Sequence, residues 1–444
     1  MKKVPPLKFS ILFFAAVLLC AACTGRQETV SSKTYAPETD KQPLKKIENK
    51  TILFLEERIK RDPEDYVAYN KLASEYLQQM RETGDANFLN LATRAAKNSL
   101  EILPAHQNKE GLAVLALVKY SSHEFTESRD HAKQLIELEP NKGFAYQILG
   151  DALLELGDYG EAEKAFREMI ALGGIQPLTQ SAMEQRLARL ALLKGNNEKA
   201  KTHYLNALKI ATSLPEPPKE TVAYCNWQLG ETAFFKGDFK AAEKHYKNAL
   251  EVFPNYSNAL ASSGKIRAAN GDTAGAIESY EHAVKRLPDI SFVAALGDLY
   301  KIAGRDEDAK NQYELVEQIG RLSAINGNLY NRSLALFYAD HDLKPEEAYN
   351  LAAKEYETRR DVYGADALAW TALKAGKIDE AKEKSKEAMR LGTFDARIFY
   401  HAGMIANAAG DKTTARKYLR QALELNPKFQ ILQAEICRQT LASL

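Results

Sequence analysis

Apolar and small residues recur along most of this chain with one spacing. From Gly143 they read Tyr146, Leu149-Gly150, Leu153, Gly157, Tyr159, Ala162, Phe166 and Met169. From Ala223 they read Leu229-Gly230, Ala233, Gly237, Phe239, Ala242, Tyr246, Ala249 and Pro254. The same offsets return at Leu260, Ser263-Gly264, Gly271, Ala276, Tyr280, Ala283 and Pro288, and again at Phe399, Ala402-Gly403, Ala406, Gly410, Ala415, Leu419, Ala422 and Pro427. Apolar positions three and four apart give a helix one hydrophobic face. Each period therefore predicts two helices. Glycine near the middle supplies the turn, and proline ends the second helix before the next period begins. Small residues at the eighth and twentieth positions let the two helices approach closely, and an aromatic at the twenty-fourth fills the space between them.

This pattern resembles the tetratricopeptide repeat, a helix-turn-helix unit of about 34 residues. The resemblance implies an all-α fold, a right-handed superhelical solenoid in which first helices line a concave groove. Ten units are expected over 66–429, at 66–104, 109–142, 143–176, 181–214, 223–256, 257–289, 290–323, 328–361, 362–395 and 396–429. The first carries an insertion around Arg81–Asn90, and the eighth replaces the usual turn with His341-Asp342-Leu343-Lys344-Pro345. Residues 48–65 read as a leading helix and 430–444 as a helix capping the last hydrophobic edge. In such an array each unit is expected to touch only its sequence neighbours.

Before the repeats the chain reads as an address. Lys2, Lys3 and Lys8 precede the uncharged run Phe9–Leu19, which is too short to span a bilayer and has signal-peptide dimensions. It ends in Leu19-Cys20-Ala21-Ala22-Cys23, which resembles the lipobox of bacterial lipoproteins. That resemblance implies removal of residues 1–22 and acylation of Cys23, with each buried methylene adding about 0.8 kcal/mol of membrane affinity. Cys20 stands where the family usually has leucine. Thr24 follows the modified cysteine, where inner-membrane retention in the enterobacterial family uses Asp. The resemblance thus implies an outer-membrane anchor facing the periplasm. Residues 23–47, rich in Thr, Ser, Gln, Lys and Pro, read as the lipidated cysteine and a tether.

Charge narrows the function classes. The whole chain has 60 basic and 59 acidic side chains, net +1, and loss of the first 22 residues with their three lysines takes it to −2. Nucleic acid is not an expected partner, because its recognition starts from a basic footprint. Of the four cysteines, Cys20 would leave with the signal and Cys23 carry lipid, and the remaining Cys225 and Cys437 are too far apart in sequence to suggest a disulfide in an extended array. His123, Glu127 and His131 have helical metal-ligand spacing, but His123 falls at a turn, so no metal or other cofactor is expected. No nucleophile elbow, zinc-protease or phosphate-loop motif stands in a suitable context, so no enzyme is expected.

What remains is the groove. In the tetratricopeptide family, positions 2, 5, 6, 9, 12 and 13 of each unit face it. Units four to six then present Gln185, Arg186, Arg189, Trp227, Glu231, Phe234 and Lys265, and units nine and ten present Tyr363, Asp366, Trp370, Arg397, Tyr400 and Met404. Aromatic, Met and Arg enrichment suits an interaction surface. The clamp of Lys, Asn and Arg with which some members grip a chaperone's C-terminal carboxylate is absent. Tyr363, Trp370, Arg397 and Tyr400 are expected to form one patch with a cation–π contact. The expected role is a non-catalytic, membrane-anchored scaffold or adaptor for an envelope protein or peptide. The alternative is a subunit of a polysaccharide or protein export system that holds an extended ligand in the groove.

Overall fold

The computed structural model describes residues 49–83, 85, 87–172, 177–325 and 332–444. The signal-like segment, Cys23 and the expected tether lie outside them. Among the described residues there are 22 helices and no strand. The leading helix is α1 (Lys50–Arg61). Paired helices follow: α2 (Tyr66–Thr83) with α3 (Asn87–Ile102), α4 (Lys109–Ser121) with α5 (Phe125–Leu138), α6 (Gly143–Leu156) with α7 (Tyr159–Leu172). The next pairs are α8 (Pro177–Leu193) with α9 (Asn197–Thr212), α10 (Lys219–Phe235) with α11 (Phe239–Val252), α12 (Ser257–Ala269) with α13 (Thr273–Arg286). Then come α14 (Ile290–Ile302) with α15 (Asp306–Ile325), α16 (Arg332–Asp340) with α17 (Pro345–Thr358), α18 (Val362–Lys374) with α19 (Ile378–Ala388), and α20 (Ala396–Ala408) with α21 (Lys412–Leu425). The last helix is α22 (Gln433–Ser443). The helices α8 and α10 begin four residues ahead of the expected unit boundaries. Pro177 opens α8 and Pro218 caps α10, both at places where a missing N–H costs nothing.

The spacing acts where the paired helices cross. A Cβ added at Gly230 would lie 2.3 Å from the Tyr246 ring, and one at Gly150 would lie 2.4 Å from Phe166. Gly264 against Tyr280, Gly297 against Tyr313 and Gly403 against Leu419 repeat the contact. The second recurring device is the turn. Gly195, Gly237, Gly271 and Gly410 hold positive φ, and the next residue, Asn196, Asp238, Asp272 or Asp411, caps the following helix with its side chain. In the eighth unit Asp342 and Lys344 take the left-handed conformation instead, with Pro345 opening α17.

The expectation that units touch only their sequence neighbours fails. The turns of units three, four and five dock onto loops between 192 and 204 residues further along. Tyr159 Oη accepts from the Val362 N–H (2.8 Å), Thr393 Oγ1 donates to the Leu193 carbonyl (2.6 Å), and Asn426 Nδ2 donates to the Phe234 carbonyl (2.7 Å). Val362, Tyr363 and Leu391 pack against Leu153, Leu154, Leu190 and Leu193. The superhelix therefore winds far enough for its second turn to rest on its first along a seam. The turn glycines record where. Cβ atoms at Gly157 and Gly195 would strike the Arg360 and Gly392 carbonyl oxygens at 2.3 and 2.1 Å, whereas Gly271, Gly304, Gly376 and Gly410 face open space.

Two alanine substitutions separate the seam from the local turn. Gly304→Ala should cost about 1–2 kcal/mol, the strain of a left-handed L-residue. Gly195→Ala should cost that plus about 1–3 kcal/mol for displacing the 390–395 loop. Hydrogen exchange should then report lost protection near Thr393 in Gly195→Ala but not in Gly304→Ala. Equal stability losses, with exchange unchanged around Thr393, would show that the seam adds nothing.

Candidate interaction groove

Because first helices lie side by side, residues one period apart face each other along the groove, and here they form a ladder of polar pairs. Arg186 grips Asp151 through Nε (2.9 Å) and Nη2 (2.7 Å). Arg189 donates to Glu155, Lys265 Nζ to Glu231 (2.8 Å), and His401 Nδ1 meets Asp366 (3.0 Å). His341 Nε2 meets Asp298 (2.7 Å) across the irregular eighth unit. Tyr246 Oη (2.6 Å) and Ser262 Oγ (2.7 Å) also donate to Glu231. Burial raises a carboxyl's pKa, yet Lys265 and these hydroxyl donors bring Glu231 below its usual value. A buried charge is tolerable only when paired and hydrogen-bonded, and Asp151, Glu155 and Glu231 each meet that condition.

At the seam the ladder becomes a cluster. Glu155 accepts from Arg189 and, at 2.6 Å, from Arg359 Nε on the far side. Arg359 also meets Asp361 (3.1 Å), and Arg332 meets Glu355 (3.0 Å) and Asp361 (3.1 Å). Three guanidinium groups and three carboxylates thus balance. Burial would raise Glu155, but Arg359 and Arg189 hold it far below the carboxylate range. His123 lies at the same seam, left-handed at φ 62° with its ring 5.5 Å from Phe125. Burial, reinforced by Arg359 and Arg332 and opposed by Glu155, pushes it down to about 4.

The structure brings the four residues of the expected patch together. Arg397 lies 5.7 Å from the Tyr363 ring centre, and Trp370 and Tyr400 rings are 5.5 Å apart. The patch is not an open surface, however. Trp370 and Tyr400 are each 1% exposed; Trp370 stacks on His401 at 4.4 Å and donates to Asp340 at 2.8 Å. Arg186 is buried as well. Tyr363, Arg397, Arg189, Trp227, Glu231 and Lys265 remain half-buried. Trp227 Nε1 donates to Ser262 (3.0 Å), and its ring lies among Tyr224 and Tyr256. The seam residues Glu155, Arg332, Arg359 and Asp361 escaped the sequence reading, because no local spacing links positions 204 apart. Of the metal-spaced trio, His123 is turned into the seam and Glu127 pairs with Lys119 at 2.8 Å. Among the described residues no group of three or more His, Cys, Asp or Glu side chains is placed to hold a metal ion. Cys225 and Cys437 are both free and buried.

Comparison with known proteins bears on this architecture. Models of the tetratricopeptide repeat match residues 114–177, 178–255, 228–289 and 396–429. The chain is an all-α tetratricopeptide-repeat solenoid. Proteins built from these repeats are generally non-catalytic scaffolds for protein–protein contact. No curated protein matches the sequence. Similar solved structures include a tetratricopeptide repeat protein from Parabacteroides merdae, 14% identical, TM-score 0.40, covering 56% of this chain and 93% of its own. PilW, described as a widely conserved type IV pilus biogenesis factor, is 15% identical with TM-score 0.38, covering 47% and 91%. A human IFIT1 dimer solved with m7Gppp-AAAA is 17% identical with TM-score 0.48, covering 77% and 76%.

Two measurements probe the groove. Trp370→Ala with Tyr400→Ala should behave as a core lesion, costing at least about 3–5 kcal/mol and lowering the melting temperature sharply. A folded double variant of native stability would return both rings to the surface. The second concerns His123. The unfolded chain takes up its proton near pH 6.5, while the folded protein resists until about 4. Stability should therefore fall as pH drops through that window. His123→Asn tolerates the left-handed backbone and cannot titrate. Allowing for the half-buried ring, native protein should lose about 1–2 kcal/mol more than the variant between pH 7 and pH 5, read from urea midpoints. Parallel pH profiles would remove His123 from the account.

Proposed function

We propose that this chain is a lipid-anchored, non-catalytic adaptor of a bacterial envelope, holding a protein or peptide partner on a tetratricopeptide solenoid. The observation that carries the reading is Leu19-Cys20-Ala21-Ala22-Cys23 behind a lysine-bearing apolar segment. No helix among the described residues is long and apolar enough to cross a membrane, so in this reading attachment comes through Cys23. Thr24 favours the outer membrane, with the solenoid in the periplasm. The groove side chains that keep partial exposure, Trp227, Glu231 and Lys265 in units five and six and Tyr363 with Arg397 at units nine and ten, combine rings with charges, as contact surfaces do. Protein partners suit this face better than a small-molecule substrate, since its charges are already committed to one another.

The anchor is tested by labelling cells with a radioactive fatty acid. The native chain should be labelled and fractionate with membranes. Cys23→Ser should lose the label and accumulate as soluble protein or uncleaved precursor. Equal labelling of both would end the lipoprotein reading.

A further inference from the structure

Phe54 is the most exposed large apolar side chain among the described residues, at 64%, and its neighbour Leu53 is 46% exposed. The other exposed large apolar residues stand singly along the chain, as is ordinary for a protein surface. The pair cannot rotate inward, because α1 is fastened by its opposite face. Ile52 and Leu55 are buried in a cluster with Leu72 and Tyr76. Tyr76 Oη donates to Glu56 at 2.7 Å, and Arg58 pairs with Asp65. Lys50 lies one turn before the pair and Lys60 two turns after Leu53, both exposed and on the same side of the helix, where the one acidic group, Glu57, is paired with Arg61 at 3.2 Å. An apolar edge flanked by lysines on a short helix matches an anionic lipid–water interface.

Position in the chain selects that occupant. The helix α1 is the first described element, and residues 24–48 are all that separate Cys23 from its N-cap, Asn49. Twenty-five residues reach at most about 90 Å, so acyl chains on Cys23 keep α1 near the bilayer. We propose that Leu53 and Phe54 seat on the surface of that same membrane, with Lys50 and Lys60 against anionic headgroups. This inference rests on the lipid-anchor reading and extends it. The first unit then faces the bilayer, and the solenoid holds a set orientation instead of hanging freely.

The test uses the full chain, processed and lipidated in cells and reconstituted into phosphatidylcholine–phosphatidylglycerol vesicles with brominated acyl chains. F54W supplies the reporter, and native protein, whose only tryptophans are Trp227 and Trp370, supplies the background. Flotation reports the anchor and quenching reports the docking. Docking predicts that F54W protein floats with the vesicles and that the added emission is quenched about twofold. Adding Leu53→Asp to F54W should reverse that quenching while flotation persists. Floating protein with unquenched F54W emission would place α1 away from the bilayer and overturn the proposal. An F54W indole shielded from acrylamide without vesicles would give the edge to another protein surface, such as a second copy, and would also overturn it. Protein that fails to float would remove the anchor itself, and the docking with it.

Discussion

The fold depends on how closely two helices can approach within each unit. Where Gly150 meets Phe166 or Gly230 meets Tyr246, the helix backbone lies against the ring with no room for a methyl group. Packing this tight sets the separation of the pair, and repetition fixes the offset from one pair to the next. A small angular offset repeated over many units is a superhelix. In this chain it winds until the turn at Gly195 meets the loop at Gly392. The seam thus needs the glycine–aromatic crossing within each unit, but the packing between units decides how far the array winds.

That closure changes what the concave face is for. Asp151, Glu155, Arg186 and Arg189 stand on the first helices of units three and four, where an open solenoid would present them to a ligand. Here they bind one another and Arg359 from the second turn. With Arg332, Glu355 and Asp361 at the seam, four guanidinium groups and four carboxylates cancel, so this stretch has little net field with which to attract a charged partner, and breaking one pair would strand the other charge. Rings and charges keep partial exposure around Trp227 with Lys265 and around Tyr363 with Arg397, which is where the proposed recognition by the groove would fall.

Periodicity made most of the helical architecture legible. Position 8 placed Gly230 where the two helices touch and position 24 placed Tyr246 in the gap between them, and the structure brings the two into direct contact. The turn glycines and their capping Asp or Asn residues were readable for the same reason, since the interactions are local and recur. Three features were not. The early starts of α8 and α10 depend on Pro177 and Pro218 opening a helix that the repeat register alone would begin later. The seam joins residues about 200 apart, and nothing in a 34-residue pattern specifies how tightly the superhelix winds. The third was the burial of Trp370 and Tyr400. Repeat position assigned them a face but not what lies over that face: Asp340 from unit eight and the residues from Phe429 onward close around them.

The seam and the membrane edge constrain each other physically. A solenoid held only by nearest neighbours flexes along its length, and an anchor at one end would say little about where its far units point. A second turn resting on the first suppresses that flexing, because bending must part Tyr159 from Val362 and Thr393 from Leu193 together. Any orientation that the proposed membrane contact gives α1 would pass through units one and two to a region whose two turns are tied together at Tyr159, Thr393 and Asn426. Under the proposed anchor and membrane docking, the half-buried groove positions would stand at a set height and angle above the lipid. The buried ion cluster adds directional contacts to this closure, because Arg332 and Arg359 each reach at least two carboxylates and a shift between the two turns would leave a buried charge unpaired.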